Sequence, residues 1–141
     1  MTKELRAERS DHSSHVQAIT TSIGLPAGLA MPKRVDKRWG WEDIYINDAM
    51  YCMKRLYIKA GCETSMHFHV IKHETLLVSS GTLTLSYKDG RGGDHTVLLP
   101  EGEAFVVPPG LQHKLIATET DVMLVEASTT DHQEDSVRVH M

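Results

Sequence analysis

Cross-linking sulfur is scarce in this chain of 141 residues: Cys52 and Cys62 are its only cysteines. Their spacing is not C-x-x-C and their density is far below that of a disulfide scaffold. Both are therefore read as reduced strand or turn residues. Aromatic residues are also few, at 6%. No stretch approaches the roughly 18 uninterrupted apolar residues of a membrane span. The opening MTKELRAERSDHSSH has no apolar block of the secretory kind, which predicts a cytoplasmic address. Positive charge is not in excess either. Fifteen Lys and Arg stand against 19 Asp and Glu, for a formal net charge of −4. That balance gives no broad basic footprint, so neither nucleic acid nor an anionic membrane is an expected partner.

What the chain does have is enough apolar material, 40%, for one domain with a core, and nine histidines. Residues 1–33 read as an N-terminal arm, with a short helix over 3–9 and then Gly24, Pro26, Gly28 and Pro32 as punctuation. From residue 34 to 141 the pattern is one of short strands broken by turns. Residues 51–59 mix β-branched and aromatic residues with Lys54 and Arg55. Over 82–87, Leu83, Leu85 and Tyr87 alternate with Thr82, Thr84 and Ser86. Glycines at 90, 92 and 93 predict a hairpin loop, and strands restart over 96–99, 104–107 and 122–127. Evenly spaced short strands of this kind predict an all-β barrel or sandwich of antiparallel hairpins.

Four residues carry the chemistry. His67 and His69 are one residue apart, so on a strand both imidazoles leave the same face. Glu74 returns a carboxylate five positions on, and His113 follows its own turn. Three imidazoles and one carboxylate suit a mid-row divalent ion. With Gly61 and Gly81 the first cluster reads G-x5-H-x-H-x4-E-x6-G. Gly102, Pro108, Gly110 and His113 make the second, G-x5-P-x-G-x2-H.

These two patterns resemble, at every fixed position, the signature motifs of the cupin superfamily. The resemblance implies a small single-domain jelly-roll barrel that holds one divalent metal ion (Zn, Mn, Fe, Ni or Co) on His67, His69, Glu74 and His113. A narrower resemblance spans about 34–139, carried by Arg38-Trp39-Gly40-Trp41-Glu42, by Met53 to Ile58, and by the tail Glu134-Asp135-Ser136-Val137-Arg138. Those segments look like the cupin domain of type II mannose-6-phosphate isomerases. They imply interconversion of an aldose and a ketose, free or phosphorylated, through an enediolate.

The candidate catalytic residues are Lys54, Arg55, Glu126 and Arg138. Adjacent strand residues face opposite sides, so one of Lys54 and Arg55 must enter the barrel. Glu126 ends an apolar strand and is a possible base, and Arg138 could bind an anion. Trp39 and Trp41 fit either a sugar-stacking platform or packing across one end of the barrel. His73 is expected on the outer face, and His12, His15, His95, His132 and His140 on the surface. A non-catalytic carbohydrate-binding or sensor protein and an Fe(II) dioxygenase remain as alternatives, because a fold does not fix a function. The expected partners are a small-molecule substrate and a second copy, with part of 16–35 crossing to it.

Overall fold

The computed structural model describes residues 19–22, 24 and 26–140. The helix expected over 3–9 lies outside the described residues, as does much of the segment expected to cross to a partner. The described residues up to Met31 belong to a unit of their own, in which β1 (Ile19–Thr20) pairs antiparallel with β2 (Pro26–Ala27).

The second unit, Pro32–Met141, carries the remaining strands: β3 (Lys33–Lys37), β4 (Gly40–Asn47), β5 (Cys52–Ile58), β6 (His67–His69), β7 (Glu74–Ser80), β8 (Leu83–Lys88), β9 (Asp94–Leu99), β10 (Ala104–Val107), β11 (His113–Ile116), β12 (Val122–Ser128) and β13 (Ser136–Arg138). Two antiparallel sheets result, in the orders β10-β7-β12-β5-β4-β3 and β13-β6-β11-β8-β9. The all-β jelly-roll reading agrees with this architecture. β3 and β13 are additions to it. Each is an edge strand with exposed polar residues and little apolar alternation to announce it.

Alternation along three neighbouring strands explains where the site falls. On β5, β7 and β12 the inward residues run Ile58, Leu56, Lys54, then Val78, Leu76, Glu74, then Val122, Leu124, Glu126, and all nine are buried. Register locks these series side by side. Val122 faces Ile58, Leu124 faces Leu56 and Val78, and Glu126 faces Lys54 and Leu76. One end of the barrel is therefore filled by Leu, Ile and Val. Leu83, Leu85 and Leu115 of the other sheet join that core, at roughly 1.5–3 kcal/mol for each buried side chain. The opposite end collects ionisable groups.

Gly81 closes the turn after β7 at φ 82°, and a Cβ there would run into the carbonyl of Asp121. Gly92 has the same φ but open space around it. Alanine at Gly81 should therefore cost about 3 kcal/mol, against about 1 kcal/mol at Gly92, where only the backbone preference is lost. Urea midpoints of the two variants check this.

Candidate metal centre

β6 is three residues long and offers His67 and His69 to the barrel. Its strand partner β11 opens on His113, which sits directly opposite His67 in the ladder. The Gly110 N–H donates to the His69 carbonyl at 2.7 Å, so the Pro108-Pro109-Gly110 turn is pinned against β6 just before His113. The His67 and His113 rings lie 4.4 Å apart between centroids, and the His67 and His69 rings 5.1 Å. One nitrogen from each of the three falls within 4.8 Å of the others.

Hydrogen bonding fixes two of the tautomers. Nδ1 of His67 is 2.8 Å from the Ser65 carbonyl, and Nδ1 of His113 is 2.8 Å from the Leu111 carbonyl. A carbonyl only accepts, so each Nδ1 carries a proton and Nε2 is left as the second ring nitrogen. Burial, helped by the neighbouring His113, pushes His67 down to about 4. Burial and Lys72 lower His69 as well. Nδ1 of His69 is buried without a hydrogen-bond partner, with Asp135 Oδ2 3.9 Å away. Three ring nitrogens brought together, beside a buried His69 nitrogen with no hydrogen-bond partner among the described residues, are a donor set that a divalent cation satisfies.

Glu74 begins β7 at 3% exposure, and its Oε1 lies 3.3 Å from His113 Nε2. Its other oxygen is 2.9 Å from the Lys72 ammonium. Burial works against the charge of Glu74, but the contacts with His113 and Lys72 prevail and its pKa falls. His67, His69 and His113 thus could hold a divalent ion, and Glu74 lies beside them.

A buried ionic network adjoins them. Lys72 Nζ also lies 3.2 Å from Glu126 and 3.8 Å from Asp131. Lys54 Nζ pairs with Asp131 and lies 3.5 Å from Glu42. Burial and the nearby Glu74 push Glu126 up to about 7, against the pull of Lys72 and Lys54. Burial opposes the charge of Lys54 too, yet Glu126, Glu42 and Asp131 hold its pKa above the ordinary lysine value. Both lysines are cations at neutral pH.

These groups line one cavity of about 270 Å³. The structure places Lys54, Glu126 and Arg138 on its wall, together with Trp39. Arg55 is on the other face of β5, where it reaches Asp43 at 3.4 Å and lies 5.8 Å from the rings of Trp41 and Tyr45. It does not line the cavity, because register turned its neighbour Lys54 inward. Trp41 is on that outer face as well, stacked on Tyr57 with the Arg34 guanidinium 3.8 Å from its ring centroid. His73 is exposed. His95 is part of β9, 2.7 Å from Asp89, and His132 is exposed as expected while also lining the cavity.

Lys72, Asp131 and Glu42 were not singled out from the sequence. Only Lys72 had a usable signal, since two residues before Glu74 it would share that residue's face on an extended segment. Asp131 comes from the connection between β12 and β13, where its N–H and C=O are held by the side chain of Asn47, both at 2.9 Å.

A family model described as "Cupin domain" matches residues 55–127, just over half of the chain. The xanthan biosynthesis protein XanB of Xanthomonas campestris pv. campestris (strain B100) is 29% identical over 83 residues, which cover 59% of this chain and 17% of that protein. Among solved structures, the capsular polysaccharide assembling protein CapF of Staphylococcus aureus superposes with a TM-score of 0.70 at 17% identity, over 78% of this chain and 32% of CapF. Oxalate decarboxylase of Bacillus subtilis gives 0.72 at 14% identity, over 82% and 33%. The chain thus spans about a third or less of each of these proteins. The two structural likenesses establish the fold alone.

Proposed function

The chain belongs to the cupin family, and from that premise we propose that it is a metal-dependent isomerase or epimerase acting on a sugar or sugar phosphate. The observation that carries this reading is one cavity in which three convergent imidazoles, with Glu74 beside them, sit against buried acidic and cationic side chains. A divalent ion on His67, His69, Glu74 and His113 would supply Lewis acidity, easing charge onto a substrate oxygen as a proton leaves the adjoining carbon.

The protein's own groups do the rest. Glu126 is the carboxylate placed to take a proton from one carbon of the hydroxy-carbonyl unit and return it to the next. Lys72 and Lys54 offset negative charge that develops on the two oxygens. Lys37, Lys54, Lys72 and Arg138 on the wall are matched by Glu42, Glu74, Glu126 and Asp131, so the side-chain charges cancel once Glu126 is ionised. A bound divalent ion makes the cavity electropositive, which favours an enediolate or a phosphate. Lys37 and Arg138 form no ion pairs among the described residues and are free to meet an anionic group.

Volume argues for a small substrate, since about 270 Å³ lies just below the roughly 300–1,000 Å³ of drug-sized ligand sites. XanB, named for xanthan biosynthesis, supports carbohydrate as the substrate class.

Metal-loaded protein incubated with a panel of aldoses, ketoses and their phosphates in D2O should move solvent deuterium onto C1 or C2 of at least one substrate, as read by NMR. Tight binding with no exchange anywhere in the panel would assign the protein to carbohydrate binding instead. Oxygen uptake without exchange would assign it to oxygenase chemistry.

A further inference from the structure

The two oxygens of Glu74 have different neighbours. Oε1 looks toward the imidazoles, 3.3 Å from His113 Nε2, whereas Oε2 is held by Lys72 Nζ at 2.9 Å. Lys72 is itself fixed in place. Its backbone N–H donates to Asp135 Oδ2 at 2.9 Å, and its 4%-exposed side chain also reaches Glu126. We propose that Lys72 is a positioning residue that reserves Oε2, so that Glu74 presents one oxygen to the metal ion and leaves room on that ion for a chelating substrate. This rests on the metal reading above and concerns how the ion is held, independently of which reaction follows.

The physical reason is competition for lone pairs. A carboxylate freed on both sides can close on a divalent ion with both oxygens. An ammonium already bonded to one oxygen makes that closure cost a buried charge-assisted hydrogen bond. A substrate presenting a hydroxyl beside a carbonyl needs two neighbouring positions, so a second Glu74 oxygen would compete with it directly. Glu126 and Asp131 keep the ammonium from swinging away, and Asp135 holds the backbone that carries it.

Cobalt(II) reports coordination number through its visible absorption, and acetohydroxamate is a two-oxygen chelating probe. Both are read on full-length protein for the wild type, for Lys72→Met, and for the double variant Lys72→Met/Glu126→Gln. The double variant removes one charge of each sign, so the cavity keeps its balance and the protein its fold should the single variant unfold. The expected result is loss of visible absorptivity and about tenfold weaker acetohydroxamate binding in both variants. An unchanged spectrum and unchanged probe affinity would overturn the proposal. So would an effect that disappears in the double variant, because Lys72 would then act through net charge alone. Failure of the wild type to take up cobalt would instead overturn the metal reading, and this inference with it.

Discussion

Alanine at His113 should reduce bound metal from about one ion per chain to less than about a tenth, as read by elemental analysis after dialysis against a weak chelator. The argument is geometric. His113 is 1% exposed, its Nδ1–H is committed to the Leu111 carbonyl, and its Nε2 lies within reach of Glu74 and the other two rings. Removing it takes away a donor and opens a gap that His67 and His69, fixed on a three-residue strand, do not close. The same experiment has a thermal readout. A ligand at a hundred times its Kd adds about 2.7 kcal/mol to stability, which raises Tm by roughly 5–10 °C for a chain of this size. The wild type should show that rise when metal is added, and His113→Ala should not. His73→Ala is the control. His73 is exposed and its backbone, not its ring, makes the local hydrogen bonds to Thr129, so both metal content and thermal rise should persist.

Much of this architecture was legible in the sequence, for a simple reason. A strand with one buried face writes period-two alternation, and turns between strands demand glycine or proline. Leu83, Leu85 and Tyr87 do point inward from β8, and the strands over 104–107 and 122–127 appear within a residue of where alternation put them. Gly81 is a fixed position of the first motif, and the collision a Cβ would make with Asp121 shows why glycine is needed there.

Illegible features share a different trait. β3 is Lys-Arg-Val-Asp-Lys, an edge strand whose pairing is set by its partner β4 and not by an apolar face of its own. Alternation left Lys54 and Arg55 equivalent until the register with β4 and β12 chose between them. Lys72 and Asp131 stand outside the strands. Asp135 and Asn47, both distant in sequence, hold their backbones, and no local periodicity records such contacts. The candidate ligands could be singled out because His67, His69 and Glu74 share one local motif and His113 closes another. The charges that surround them could not, because their placement is long-range.

Lys54→Met is expected to lower the unfolding free energy by about 3–5 kcal/mol, the cost of stripping one partner from a buried ionic cluster. Lys54 is 4% exposed, pairs with Asp131, lies 3.5 Å from Glu42 and faces Glu126 across the β5–β12 ladder. Its removal leaves those carboxylates facing one another with Lys72 alone to offset them. Arg55→Met, one residue away on the outer face with 42% of its side chain exposed, should cost about 1 kcal/mol or less. Acid should narrow the gap between Lys54→Met and the wild type. Asp131 is a carboxylate whose pKa is lowered, burial notwithstanding, by its hydrogen bond to Lys54. A depressed carboxylate contributes fully above its unfolded pKa, near 3.8, and that contribution is lost as the pH falls through the native value. The share of the urea-stability difference that Asp131 carries should therefore hold from neutral pH to about 5 and shrink below about 4, whereas the share carried by Glu126, pushed up to about 7, already falls as the pH drops through 7. The double variant Lys54→Met/Asp131→Asn should recover part of the loss at pH 7, since it removes a buried charge that the single variant leaves unpaired. No recovery would mean that Lys54 stabilises the barrel chiefly through Glu126 and Glu42. On the isomerase reading proposed above, kcat, more than KM, would then carry the penalty of its loss.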